Sequence, residues 1–320
     1  MTPDGVAPYG TTLRALRQGG KRALAAALAR LERNPESDDS QALLDAAWRA
    51  SGGHVVGVTG PPGVGKSSLC AALVVAWRQA GHTVGVIAVD PSSKASGGAL
   101  LGDRVRIVHE AADEGSFVRS MAARDRLGGL ADQTLAAMVV MRALFDRVLI
   151  ETVGVGQSET DVAGVADTVL FCVQPGSGDS LQFMKAGIVE IPHLIAVTKA
   201  DLGPAAERAR ADVAGALSLA APGDGTWALR VLAISSRSRA GLEALVEALE
   251  AHRLHLAKEG RLAIARHRQS ESWVVESLRD RFGREGIARL HRLGFDLALA
   301  PGAQPFERMR HLAAALETPQ

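Results

Sequence analysis

Neither sign of charge dominates this chain of 320 residues: 36 Lys and Arg stand against 35 Asp and Glu, a formal net charge of +1. Such a balance supplies no global field to draw in nucleic acid or an anionic membrane surface. Aromatic residues make up only 4%, which leaves few platforms for stacking single-stranded bases. The two cysteines, Cys70 and Cys172, both sit inside apolar segments and read as buried, inert thiols. Apolar runs never reach the length of a membrane span, and the N-terminal Met1-Thr-Pro-Asp-Gly lacks the basic-then-apolar pattern of a secretory signal. Internal repeats and low-complexity tracts are missing as well. The expectation is a cytoplasmic, globular protein with neither nucleic-acid nor membrane partners.

What is present is organised around His54-Val-Val-Gly-Val-Thr-Gly60-Pro61-Pro62-Gly63-Val64-Gly65-Lys66-Ser67-Ser68. An apolar strand breaks here into a glycine-rich turn and then opens an amphipathic helix from about Lys66 to Gln79. The G-x-x-x-x-G-K-S spacing in that setting is a phosphate-binding loop, in which backbone N–H groups curl inward around a polyphosphate. Lys66 is placed to reach the β and γ phosphates, the Ser67 hydroxyl to ligate magnesium, and the helix N-terminus adds its own positive end.

Around this loop, short apolar runs at 54–59, 83–90, 147–153, 168–174, 194–199 and 229–234 alternate with helical patterns. That rhythm predicts an α/β fold, a doubly wound and mostly parallel sheet. Residues 1–50 read as an N-terminal helical extension. Thr12 is positioned to cap a helix through Arg33, a polar break spans 34–39, and a second helix runs from about Ser40 to Ala50. The P-loop domain is assigned to 51–250. Residues 251–320 form a C-terminal helical region, with helices at 241–258 and 261–282 and a looser, glycine-containing stretch beyond. Basic residues outnumber acidic ones there, as on a solvated helical face.

Three further strand ends carry chemistry. The run 83–90 finishes in Asp90 and leads into a polar loop bracketed by Asp90 and Asp103, suited to closing on magnesium and a γ phosphate; the plainer alternative, an ordinary surface loop with Asp90 as a helix cap, is the weaker reading. The run from Arg147 ends in Glu151, the Walker-B position, followed by Gly154, whose N–H can approach a γ phosphate because no side chain intervenes. Gln157 lies three residues past that glycine rather than beside it. The run 194–199 leads through Thr198 and Lys199 to Asp201, a carboxylate able to accept from both the ring N–H and the exocyclic amine of guanine. Lys199 would lay its stem along base and ribose, and Ser235-Ser236 could offer an N–H to the guanine carbonyl. GTP is therefore expected over ATP.

Together, Asp90-Pro-Ser-Ser93, Ser96-Gly-Gly-Ala-Leu-Leu-Gly-Asp-Arg104, Glu151-Thr-Val-Gly-Val-Gly-Gln-Ser-Glu159 and the phosphate loop resemble the MeaB/ArgK family. These are GTPases associated with methylmalonyl-CoA mutase and related adenosylcobalamin-dependent acyl-CoA mutases. The resemblance covers about 54–250. It implies a GTP/GDP-binding and GTP-hydrolysing chaperone that gates adenosylcobalamin loading, protection or reactivation of such a mutase. It also implies magnesium surrounded by Ser67, Asp90, Asp103 and Glu151, a partner-facing loop at 175–187 that includes Gln182 and Lys185, and a homodimer. Thr198 stands where the family usually has Asn and can still brace the loop. Two other classes share parts of this pattern. A nickel- or cobalt-insertion GTPase calls for a histidine-rich tract or Cys-x-Cys-Cys cluster, and an ATP-dependent kinase calls for an acceptor pocket with a general base; neither feature is in the sequence.

Overall fold

The computed structural model describes residues 12–50, 52–91, 113–123, 132–154, 158–176, 191–217 and 227–317. Its centre is a seven-stranded sheet in the order β3-β2-β4-β1-β5-β6-β7, every neighbouring pair parallel. The strands are β1 His54–Thr59, β2 Val84–Pro91, β3 Ser116–Ala123, β4 Arg147–Glu151, β5 Thr168–Val173, β6 Leu194–Val197 and β7 Arg230–Ala233. β1 and β5 are buried along their whole length, as expected of strands covered by helices on both faces.

Two helical layers enclose the sheet. One comprises α1 Leu13–Arg33, α2 Asp38–Arg49, α4 Asp132–Leu144 and α5 Ser158–Ala163, whose core holds Leu28, Leu43, Met138, Met141 and Val162. The other is built by α3 Lys66–Gln79 and α7 Leu242–Ala257, with Leu69, Leu73, Leu245 and Leu249 against the sheet. α6 Pro204–Leu217 packs Val213 beside β5 and β6. α8 Arg261–Arg292 and α9 Pro305–Glu317 share a satellite core of Val274, Leu278, Leu290, Leu312 and Leu316. The terminal extensions meet: Phe306 of α9 packs edge-on to Trp48 of α2 and Trp273 of α8, with ring centroids 6.3 and 5.1 Å apart.

Side-chain caps set the starts of the first two helices. Thr12 Oγ1 accepts the Ala15 N–H at 3.1 Å, capping α1 as expected. Ser37 caps α2, so that helix begins at Asp38, two residues earlier than the polar composition suggested. The strand at Ser116–Ala123 was not anticipated. It is an edge strand, paired only with β2, and its buried Phe117 and Met121 flank Arg119, which pairs with Glu32 of α1 at 2.6 Å. One charged residue within the apolar alternation hid the pattern. Beyond 282 the chain is helical where a looser stretch was expected: the helix bends at Gly283 (φ 68°, ψ −173°) and resumes to Arg292, and α9 follows. Tertiary packing around Leu290 and Leu316 outweighs the weak helix propensity of the glycines.

At the amino end of the strands lies a buried polar network. Asp167 accepts from the Val55 N–H at 2.8 Å and from Arg266 Nε and a terminal guanidinium nitrogen, each at 2.7 Å. Burial alone would raise the Asp167 pKa, but the Arg266 guanidinium outweighs it and holds the carboxyl below the ordinary value. Arg266 also donates to the Gly53 carbonyl at 2.7 Å, fastening α8 to the segment that enters β1. Next to it, His54 Nε2 and His252 Nδ1 each lie 2.7 Å from the Thr168 hydroxyl, and the Val169 N–H donates to His193 Nδ1 at 2.9 Å.

Burial pushes His54 and His193 from 6.5 down to about 4, and His252 down to about 2. Below pH 6.5 the unfolded chain therefore binds protons that the folded chain refuses, and stability falls as pH drops towards 4. Each histidine contributes up to about 1.4 kcal/mol per pH unit within that window. Urea midpoints measured between pH 7.5 and 5 should decline steadily, and His252→Gln should flatten the slope; a midpoint independent of pH would contradict this account.

Candidate nucleotide site

The site is assembled at the carboxyl edge of β1, β4, β5 and β6, where ligands of parallel α/β sheets bind. β1 delivers the chain to Gly60, whose φ of 138° suits glycine, and a Cβ there would collide with the Cys172 carbonyl of β5. Pro61 and Pro62 lack N–H groups, so they shape the loop and leave donation to Gly63, Gly65 and the first turn of α3. Val64 is fully buried and anchors the loop in the core, whereas Gly63 and Ser68 face solvent. Gly65 occupies the N-cap in the left-handed region (φ 102°).

Lys66 is 6% exposed and donates from Nζ to the Gly60 carbonyl at 2.7 Å and the Pro61 carbonyl at 3.1 Å. Its ammonium thus sits inside the loop, where β and γ phosphates would lie. Ser67 Oγ donates to Glu151 Oε1 at 2.6 Å, so the hydroxyl and the Walker-B carboxylate form one oxygen-donor pair. Such hard oxygen donors suit magnesium. Beyond Glu151, Thr152 extends the ladder with its N–H on the Val58 carbonyl (3.1 Å) and donates its hydroxyl to Thr59 Oγ1 (2.8 Å), a buried pair the motifs did not single out. Gly154 follows at φ 78°, packed so closely that a Cβ would strike the Gly60 carbonyl and Lys66 Nζ. Underneath, burial pushes the Cys172 thiol up to about 12 and Cys70 well above its ordinary value, so neither ionises near neutrality.

On the base side, the buried Thr198 donates its hydroxyl to the Val64 carbonyl at 2.7 Å and lies 3.0 Å from the Val173 carbonyl. It thereby braces the phosphate loop. Lys199 Nζ reaches the Gly63 carbonyl at 3.2 Å and the Gln174 side-chain oxygen. Ser235 Oγ donates to Asp201 Oδ1 at 2.6 Å and holds that carboxyl below the ordinary range. The Ser235 N–H is committed to the Ala240 carbonyl at 2.9 Å, so Ser235 contributes its hydroxyl, and Ser236 remains the candidate backbone donor for a base. Gln174 was missed by sequence reasoning; its only signal was a polar residue directly after an apolar strand. Asp103, Gln157, Gln182 and Lys185 lie outside the described residues, as does the side chain of Asp90, whose backbone is the penultimate residue of β2 at the same edge.

Comparison with known proteins bears on the same residues. The family model described as "Methylmalonyl Co-A mutase-associated GTPase MeaB" matches residues 23–289. A putative GTPase from Pyrococcus horikoshii is 38% identical over 276 residues, covering 83% of this chain and 84% of that protein. The GTPase ArgK of Escherichia coli is 34% identical over 318 residues, 96% of each. Among solved structures, one titled as a LAO/AO transport system kinase matches with a TM-score of 0.67 and 29% identity, covering 96% of each chain.

Two outcomes are expected of this geometry. Lys66→Ala removes the charge aimed at the β–γ bridge and should lower GTP turnover at least 100-fold, about 2.7 kcal/mol or more; turnover near wild type would refute the assignment. Asp201→Asn reverses one hydrogen-bonding sense and should shift preference from GTP to xanthosine triphosphate by about 1–3 kcal/mol. Competition binding that includes ATP checks it, and equal affinity of wild type for ATP and GTP would count against guanine selection.

Proposed function

The chain belongs to the MeaB family of GTPases, and from that premise we propose that its GTP hydrolysis drives a switch rather than a biosynthetic step. The switch gates adenosylcobalamin loading, protection or reactivation of methylmalonyl-CoA mutase or a related acyl-CoA mutase. The supporting observation is the match to a family described by its association with that mutase over residues 23–289, which spans the whole nucleotide site.

The site chemistry fits this role. Ser67 and Glu151 would hold magnesium, with Asp90 and Asp103 completing its surroundings, and the ion when bound would neutralise charge on the β and γ phosphate oxygens. The residues of this chain supply the rest. Lys66 binds the polyphosphate, the glycine-rich turn orients it, and Gly154 packs closely against the Gly60 carbonyl of the same loop. Loss of the γ phosphate removes a partner of the Gly154 N–H and releases the turn, which makes 154–160 one candidate for transmitting nucleotide state. Loops 92–104 and 175–187 are the others, the latter facing the mutase. A homodimer built through the C-terminal helices completes the proposal. Among the described residues no helix is long and apolar enough to cross a membrane.

A tenfold difference in partner affinity between nucleotide states requires only about 1.4 kcal/mol of coupling. Adenosylcobalamin transfer to a purified mutase should therefore differ measurably among GTP, GDP, a non-hydrolysable analogue and no nucleotide. Identical transfer in all four, with each cobalamin mutase encoded beside this protein, would remove the switch.

A further inference from the structure

Gln174 directly follows β5 and belongs to no motif of the site. Its side-chain oxygen accepts from Lys199 Nζ, and the same ammonium lies 3.2 Å from the Gly63 carbonyl at the tip of the phosphate loop. Three separate segments, the end of β5, the phosphate loop and the turn after β6, thus converge on one cation. Lys199 is held in the left-handed region (φ 56°, ψ 40°), which residues with a side chain occupy when their surroundings impose it. Hydrogen bonds on both sides impose it here: the Thr198 N–H donates to the Val173 carbonyl at 2.8 Å before it, and the Ala200 N–H to the Ile234 carbonyl at 3.0 Å after it. The backbone sets where the lysine starts, and Gln174 and Gly63 set where it ends. An exposed lysine without such acceptors would sample many rotamers.

We infer that Gln174 is a positioning residue for the nucleotide: with Gly63 it fixes the Lys199 ammonium, so that the lysine stem is preset along base and ribose between the phosphate loop and Asp201. The inference rests on the guanine-nucleotide reading of this site. A stem that covers base and ribose touches parts of the ligand that hydrolysis leaves unchanged, so ground state and transition state gain equally. Gln174 therefore acts on binding and not on the chemical step. Gly63 is a backbone acceptor that no substitution removes, which leaves Gln174 as the adjustable half of the pair.

The test is nucleotide binding and single-turnover hydrolysis by the full chain. Gln174→Ala should raise the Kd for GDP and the KM for GTP about five- to tenfold, while the single-turnover rate at saturating GTP and the unfolding midpoint stay at wild-type values. Gln174→Glu keeps an acceptor for the ammonium and should restore binding; Gln174→Met has similar bulk without an acceptor and should behave as Gln174→Ala. In a Lys199→Ala background, Gln174→Ala should add nothing, because the group it positions is gone. Unchanged Kd and KM in Gln174→Ala, or an undiminished effect without the Lys199 amine, would overturn the positioning role while leaving the guanine site intact. Failure of the wild type to bind GDP would instead overturn the site reading and the inference with it.

Discussion

Gly60 and Gly154 touch where two strands end, and the rest of the site depends on that approach. The Gly60 carbonyl lies against Gly154 on one side, accepts from Lys66 on the other, and the Gly60 Cα faces the Cys172 carbonyl of the adjacent strand. None of these neighbours leaves room for a Cβ. The phosphate loop, the Walker-B strand and β5 are thereby held at backbone contact distance, closer than any pair of side chains would permit. A change in the position of Gly154 must be felt at Gly60 and at the lysine ammonium.

The opposite edge of the same strands is held by a polar network. Asp167 and Arg266 form a buried ion pair that also satisfies the Val55 N–H and the Gly53 carbonyl, so both partners are hydrogen-bonded as buried charges need to be. The neutral imidazoles of His54 and His252 share the Thr168 hydroxyl beside it. Through Arg266, α8 is tied to the entry of β1, and through Phe306, α9 is tied to α2 and α8. The terminal helices brace the amino end of the sheet while the ligand-binding loops remain at the carboxyl end.

By itself the sequence determined the elements whose chemistry is local. The strand, turn and helix around Lys66, the cap at Thr12, the α/β class and the carboxylate that ends β4 all follow from patterns spanning a few residues, because periodicity, capping and glycine-rich turns are short-range effects. Only the tertiary structure decided what depends on distant partners. Arg119 reads as polar until Glu32 pairs with it and completes an edge strand; the glycines after 282 read as loop until Leu316 packs behind them. Gln174 has no meaning until Lys199, 25 residues later, reaches it across the mouth of the site. The Ser235 N–H looked available for a base until the fold directed it to Ala240. In each case the deciding interaction joins positions whose separation along the chain carries no pattern, and the energy that selects it arises only when the sheet brings them together.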